Sequence, residues 1–540
     1  MAKYIRGVGE RGAAFTVRGA TRFVLVLLAA LSFGLAMQPV NWWFLAFPAT
    51  AVVMLAARGR TLWQTYLLGA TIGVVFYGAQ TTWLTAYLGP EPWIALALLE
   101  GLLFGLGQVV LAFLWRRWDA IGSRRSALSG ASMVAALALV WVAREWLNGH
   151  LPYGGFQWSR LGQMVADSDL RYWAYWGGIS AVSLAVAVVG AWLAVSWRAL
   201  RSGAKSNTQL VLIGATVPAL LALLLPSLTP LVQASIANKA DGTRLVAAVQ
   251  GNANAGLFAN PVPGSILLKH VHESLRMIRE TTPPDFVVWP ENASDIDPLS
   301  NQFAHQIVSQ LVYDSLRTPL ILGAVTYRGS NVYNSTIQFE PGLGAVAVYD
   351  KTRPVPFAEY VPDRPFWYAI APNLIGLIER GFTFGTRSGV FDIAKTQVGS
   401  LICFEIAIDD VPHNLVTQGA KLILSQANNS DFGHTAETYQ QEPLARLQAV
   451  ATGRSVVHVS TVGVTEFIDA NGNVTQRIPA FKRGYISQTV QLRSGITPAM
   501  RFYGWVDILA GAMVALVIID ACWRRLKRDP SVQPTSRISA

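Results

Sequence analysis

The chain has 540 residues, of which 52% are hydrophobic and only 14% charged, with a formal net charge of +11. That length exceeds one ordinary domain, and the charged fraction falls well below the roughly 25% of soluble domains, so much of the surface does not face water. The positive balance could suggest nucleic acid, but its distribution excludes that reading, because the basic residues cluster beside apolar runs.

Eight apolar runs are candidate membrane spans, the second of them marginal in length. They cover residues 21–37, 42–57, 62–84, 93–115, 129–147, 173–197, 209–228 and 504–523. A spanning helix needs about 17–25 mostly apolar residues. The first run has a basic head but no small-x-small cleavage site before Gln38, so a retained helix is expected rather than a cleaved leader. Arg58 and Arg60, then Arg116, Arg117, Arg124 and Arg125, then Arg198, Arg201 and Lys205, then Arg524, Arg525, Lys527 and Arg528 fall on alternate connections or the tail. Lys3, Arg6, Arg11 and Arg18 head the chain on that same side. The positive-inside rule then puts both termini in the cytoplasm and the long segment between runs seven and eight outside. The expected division is a cytoplasmic tail over 1–20, a membrane domain over 21–229, an extracytoplasmic domain over 230–498, an eighth helix over 499–525 and a disordered cytoplasmic tail over 526–540. Glu100 lies inside the fourth run and is expected to face a cavity, while Arg144 and Glu145 near the end of the fifth are expected to pair, bind headgroups or sit at the interface.

The segment from 230 to 498 changes pattern. Short apolar strands are expected at 245–250, 286–289, 320–325, 335–339, 346–349, 398–402, 422–425, 456–460, 464–468 and 485–490, with helices near 263–281, 302–316, 406–418 and 436–453. Interleaved strands and helices argue a layered α/β domain. Asn331, Asn334, Asn471-Gly472 and Pro341-Gly342 read as turns. No metal-ligand cluster stands out, since His270 and His272 point to different helix faces.

Three strand ends carry chemistry. Glu291 follows Val288-Trp289-Pro290, Lys351 follows Val348-Tyr349-Asp350, and Cys403 follows Leu401-Ile402. Cys403 is one of two cysteines; on the expected topology it cannot pair with Cys522, leaving a free thiol outside the cell. A thiol is weakly ionised at neutral pH and needs a base, which a buried carboxylate of raised pKa can supply, while an ammonium and a backbone N–H can hold an oxyanion. Glu291 as base, Lys351 with the Phe404 N–H as oxyanion donors, and Cys403 as nucleophile form a complete set.

These residues resemble the carbon–nitrogen hydrolase (nitrilase) superfamily, whose catalytic set is Glu, Lys and Cys. The string Lys351-Thr352-Arg353-Pro354-Val355-Pro356-Phe357-Ala358-Glu359-Tyr360-Val361-Pro362 is similar to a signature of the apolipoprotein N-acyltransferase family, whose membrane frame also matches. The resemblance implies an α-β-β-α nitrilase-like sandwich on eight membrane helices. It implies a multi-pass inner-membrane enzyme that moves an acyl chain from a phospholipid, through a thioester on Cys403, to the α-amine of a diacylglyceryl-modified lipoprotein. No cofactor, metal or nucleic acid enters; an ester becoming an amide runs downhill without a nucleotide. Glu359 and Glu405 match further acidic positions, each expected to orient the lysine, and Trp158 in Gly155-Phe156-Gln157-Trp158 matches a substrate-side position or is an interfacial anchor. Phe357, Asn428 in Ala427-Asn428-Asn429-Ser430-Asp431-Phe432-Gly433, and Phe258, in place of a Trp near 259, are expected to touch substrate. Phe404 stands where the family has Tyr. Phe357, Phe366, Trp367 and Tyr368 read as a loop dipping toward the headgroups. The alternatives are a membrane-tethered amidase, which releases free acid, and a non-enzymatic transporter or receptor.

Overall fold

The computed structural model describes residues 20, 23–122, 125–201, 205–232, 241–256, 259–378 and 380–528. The expected tails over 1–19 and 529–540, and Phe258, lie outside the described residues.

Each of the eight apolar runs holds a helix among its described residues: α1 (Phe23–Ala36), α2 (Ala46–Ala56), α3 (Leu62–Gln80), α4 (Pro90–Ile121), α5 (Ala127–His150), α6 (Ala174–Leu200, kinked at Gly177 and Gly178), α7 (Lys205–Leu224) and, after the sheets, α12 (Trp505–Arg528). Five stretches are long and apolar enough to cross a membrane: Pro90–Ile121, Ala127–His150, Asp169–Leu200, Thr208–Val232 and Trp505–Leu526. The α1 helix and the stretch Trp43–Ala56 are shorter. Leu98, Leu102 and Leu106 sit at i, i+4 spacing on α4 and are each about half exposed, as are Ile213 and Val217 on α7. Apolar surface on this scale needs a non-aqueous partner. Gly69 and Gly73 of α3 face Gly105 and Gly101 of α4, and a Cβ on Gly73 would lie 2.5 Å from the Phe104 Cβ. Small residues at four-residue spacing on both helices let the backbones approach, the usual device where lipid supplies no hydrophobic drive.

The remaining chain builds two six-stranded sheets. The first orders β12 (Gly484–Gln491), β1 (Thr243–Gln250), β2 (Phe286–Val288), β3 (Leu320–Arg328), β4 (Asn331–Glu340) and β5 (Gly344–Asp350). The second orders β11 (Val474–Ile478), β10 (Thr465–Ile468), β9 (Val456–Ser460), β8 (Leu422–Ala427), β7 (Thr396–Ile402) and β6 (Val390–Ile393). Alternate residues of both sheets, among them Val246, Val288, Ile321, Val398, Leu424 and Val457, meet in one buried core. The opposite face of the first sheet packs on α8 (Ser265–Glu280) and α9 (Gln302–Gln310). The opposite face of the second packs on α10 (Asp410–Thr417) and α11 (Glu442–Thr452), and this layer shares its core with the membrane helices. The α-β-β-α sandwich therefore rests, through α11, on α6.

Four local expectations change. The expected helix over 406–418 is a 3-10 turn, Cys403–Ala407, followed by α10. The helix over 302–316 is α9 closed by a π turn, Leu311–Leu316. Phe366, Trp367 and Tyr368 lie on a short helix, Arg364–Ile370, rather than a loop. Asn334 sits inside β4, not in a turn.

Candidate active site

The sandwich brings the three strand ends together because β2 and β5 belong to one sheet and β7 to the other. Gln426 of β8 pins the layers beneath them: it accepts from Thr336 at 2.5 Å and Ser400 at 2.9 Å, and donates to the Trp289 carbonyl at 2.6 Å. Beyond Trp289 the chain turns at Pro290, whose carbonyl accepts from the Gly323 N–H at 3.1 Å. A Cβ on Gly323 would lie 2.6 Å from the Glu291 Cα, so only glycine fits there.

Glu291 is buried, and one Asn334 amide group joins it to a second carboxylate. The Asn334 Nδ2 donates to Glu291 Oε1 at 2.7 Å and to Glu359 Oε1 at 3.1 Å. Glu359 in turn receives the Lys351 ammonium at 2.9 Å and 2.8 Å on its two oxygens, and the Val355 N–H at 2.7 Å. Glu291, Asn334, Glu359 and Lys351 thus form one continuous hydrogen-bonded chain. Burial pushes the Glu291 carboxyl up to about 7, against the Lys351 charge. Burial also disfavours the charge on Lys351, but Glu359, the thiol and Glu291 outweigh it and hold the ammonium above the usual lysine range.

Cys403 is half-buried and adopts φ 55°, a left-handed conformation that costs a non-glycine residue about 1–3 kcal/mol. Burial and then the Glu291 charge push its thiol well above the ordinary value, while Lys351 pulls it down. At neutral pH the resting pair is a neutral thiol beside a carboxylate poised near its own midpoint. The arrangement suits a proton passing from sulfur to Glu291 as the sulfur attacks.

Glu405 does not reach the lysine side chain, in contrast to the expectation that it orients Lys351 directly. Its buried carboxylate accepts from the Tyr349 hydroxyl, the Thr352 N–H and hydroxyl, the Arg353 N–H and the Ile402 N–H, all between 2.8 and 3.1 Å. It ties the backbone after Lys351 to the turn that carries the thiol. Phe404 stacks between Phe156, at 6.1 Å, and Trp158, at 6.0 Å. Its ring is a packing element, which accounts for a residue without a hydroxyl. Trp158 is buried inside the protein, so the interfacial-anchor reading is set aside; its Nε1 donates to Gln440 Oε1 at 2.9 Å.

Phe357 packs against Tyr153 and Trp367 at 5.9 and 5.3 Å. Asn428 uses its carbonyl oxygen locally, accepting from the Ser430 hydroxyl at 2.7 Å. Its neighbour Asn429 makes the longer reach, donating to Glu437 at 2.9 Å. Burial pushes that Glu437 carboxyl up to about 8, and its charge acts on the thiol. Sequence reasoning missed Asn334, Glu437 and Gln440. A signal existed only for Asn334: in β4 the inward positions Asn334, Thr336 and Gln338 are polar and buried, a pattern that plain core strands do not show.

Residues 29–192 match the apolipoprotein N-acyltransferase N-terminal domain, and residues 245–497 match the carbon-nitrogen hydrolase domain. An apolipoprotein N-acyltransferase of Mycolicibacterium smegmatis is 31% identical over 95% of this chain and 88% of its own length. One from Azotobacter vinelandii is 30% identical over 94% and 96%, respectively. Among solved structures, an amidase from Nesterenkonia sp. aligns at 13% identity and a TM-score of 0.37, over 50% of this chain and 95% of that one.

Proposed function

This chain belongs to the apolipoprotein N-acyltransferase family, and from that membership we propose how its own residues carry the reaction. Cys403 attacks the acyl ester of a membrane phospholipid as Glu291 takes the thiol proton. Lys351 and the Phe404 N–H, at the open start of the 3-10 turn, hold the tetrahedral oxyanion. Glu291 returns the proton to the departing lysophospholipid oxygen, leaving a thioester. The α-amine of a lipoprotein's diacylglyceryl-cysteine then attacks, Glu291 takes its proton and returns it to the sulfur, and the amide leaves. Two substrates use one site in turn, so ping-pong kinetics follow. Glu359 and Asn334 hold Lys351 and Glu291, Glu405 holds the loop, and Phe357, Trp158 and the stretch near Phe258 and Asn428 border the lipid substrates.

The frame proposed for this chemistry is eight membrane crossings, with both termini in the cytoplasm and the sandwich over 230–498 outside an inner membrane. The basic connections support that orientation. Placing the thiol near the outer headgroups holds acyl chain and amine together.

The observation that carries the reading is the hydrogen-bonded chain from Glu291 through Asn334 and Glu359 to Lys351, coupled to a thiol on a left-handed turn. The test is incubation of the purified protein with phospholipid alone, followed by mass spectrometry. A hydroxylamine-labile acyl group on the peptide holding Cys403 is expected, moving to a diacylglyceryl lipopeptide when that is added. Turnover with acceptor but no adduct would exclude the covalent route. Release of free acid with no lipopeptide product would instead support the hydrolase.

A further inference from the structure

One buried acid near the thiol takes no part in the steps proposed above. Glu437 opens a short helix, Glu437–Gln440, after the loop that follows β8, and it is only 3% exposed. β8 runs parallel to β7 with Gln426 opposite Ile402, so the chain leaving β8 at Ala427 starts out beside Cys403. Asn429, two residues on, fixes that loop. Its amide donates to Glu437 Oε2 at 2.9 Å and to Gln441 Oε1 at 3.0 Å, and its carbonyl oxygen accepts from the Ser460 hydroxyl at 2.5 Å. The residue after Ser460 reaches the base: Thr461 donates its hydroxyl to the Glu291 backbone carbonyl at 2.9 Å and its N–H to the Ala427 carbonyl at 3.1 Å. Glu437 is thereby tied to Glu291 through the loops after β8 and β9. It comes from the sheet that carries the thiol, whereas Glu291 and Lys351 come from the other sheet.

The second oxygen of Glu437 is unused. Oε1 has no hydrogen-bond partner among the described residues, and it is not one of their sealed, unpartnered atoms, so it keeps contact with open space. The charges acting on Glu437 are those of two acids, Glu291 and Asp431, and its own charge acts on Cys403. His434, on the preceding turn, lies against the Phe481 ring at 3.9 Å. Among the described residues no arginine or lysine forms an ion pair with Glu437. A carboxylate placed this way has room for one cation.

The acceptor brings that cation. An α-amine titrates near about 8, so at pH 7 it arrives mostly as an ammonium. Three protons sit on its nitrogen and one remains in the amide, so two must leave. Glu291 carries one of them to the departing sulfur and holds one proton at a time. The other must leave first, because an ammonium has no lone pair with which to attack. We propose that Glu437 is a second base for the acceptor half-reaction: its Oε1 receives the incoming α-ammonium and takes the first proton, and the neutral amine then attacks the thioester on Cys403. Glu437 is left as a neutral carboxyl, which gives its proton to water before the next turnover. Burial pushes this carboxyl up to about 8, the range of the amine itself, so the proton passes with little change in free energy, and an approaching cation favours the carboxylate. The phospholipid ester brings no such proton, so the demand on Glu437 belongs to the second substrate alone.

This inference rests on the thioester route through Cys403, and its test separates the two. Purified full-length protein is loaded with phosphatidylethanolamine and freed of donor. The thioester is then discharged by a diacylglyceryl lipopeptide or by hydroxylamine, a nucleophile already neutral at pH 7. The ratio of the two discharge rates removes effects common to both, among them any change in the thioester or in Glu291. In the unaltered protein that ratio is expected to change less than threefold between pH 9 and pH 7. In Glu437→Gln it is expected to equal the unaltered ratio at pH 9 and to fall about tenfold by pH 7, as the neutral fraction of the amine does. A tenfold fall in the unaltered protein would overturn the proposal, and this measurement decides even if the variant fails to load. So would a variant ratio that stays flat, or one depressed equally at both pH values, as a merely structural role predicts. Failure of the unaltered protein to load would instead remove the thioester, and this inference with it.

Discussion

At the scale of single residues the site is governed by how far burial moves Glu291. An ordinary glutamate is ionised well below neutral pH, whereas here the carboxyl is pushed up to about 7. A base works only when deprotonated, so the rate of Cys403 acylation should climb through an acidic limb near pH 7 and level off above it. Asn334 shapes that limb. Its amide donates to Glu291 and so favours the charged form. In Asn334→Ala this donor is gone, the carboxyl rises further, and the limb should move to higher pH, with a loss of about tenfold or more at pH 7. Glu291→Gln should erase the limb and cost on the order of 10²–10⁴-fold, the usual worth of a positioned base. Single-turnover acylation between pH 5 and 9 reads both. A limb that stays in place in Asn334→Ala would mean the amide does not set the charge of Glu291. The order Glu, Lys, Cys at strand ends was readable in the chain, but Asn334 was not placed with them: its side chain reaches Glu291 only because β4 pairs with β5, which leads to Lys351, and with β3, the neighbour of the β2 strand that leads to Glu291.

At the scale of elements, the turn after β7 is the part that local sequence describes least. The apolar run before Cys403 announces a strand, and it is one. Nothing in Cys-Phe-Glu announces φ 55° at the cysteine, because the contacts that hold a strained residue come from elsewhere in the chain. Here they come largely from Glu405, which gathers N–H groups from both Ile402 and the backbone after Lys351. Glu405→Gln turns half of an all-acceptor group into a donor facing donors. The expected result is a folded protein with acylation down by about 100-fold or more and faster amide hydrogen exchange over 351–356. Unchanged exchange there would refute the tie between the two segments. The same logic explains which strands sequence reading found. Buried strands such as β8 open on an apolar run, Leu422-Ile423-Leu424, whereas β11, with Thr475, Gln476 and Arg477, and the four-residue β6 lie at the sheet edge with alternating exposure and carry no comparable signal.

At the scale of the whole molecule, the division into membrane helices and a layered domain was visible in the pattern of apolar residues, because long apolar segments and the short strands of a sandwich differ in length and periodicity. How the two parts lock together was not, since the lock joins residues hundreds of positions apart. Gln440 is its centre. Its carbonyl oxygen accepts from the indoles of Trp83, at 3.0 Å, and Trp158, at 2.9 Å, and its amide donates to the Gln80 carbonyl at 3.1 Å. Its own backbone carbonyl accepts from Gln163 at 2.7 Å. One side chain of the sandwich thereby satisfies polar groups from several connections of the helical part. Leucine at this position keeps the volume and removes the acceptor, stranding two buried indole N–H groups. At about 1–3 kcal/mol for each unsatisfied donor, Gln440→Leu should lower stability by several kcal/mol. Because Trp158 stacks on Phe404, acylation of Cys403 should fall as well. Unfolding in detergent and the rate of protease cleavage between residues 151 and 160 read the first effect, and adduct formation reads the second. Lost stability with full acylation would mean that the sandwich positions its thiol without help from the membrane helices.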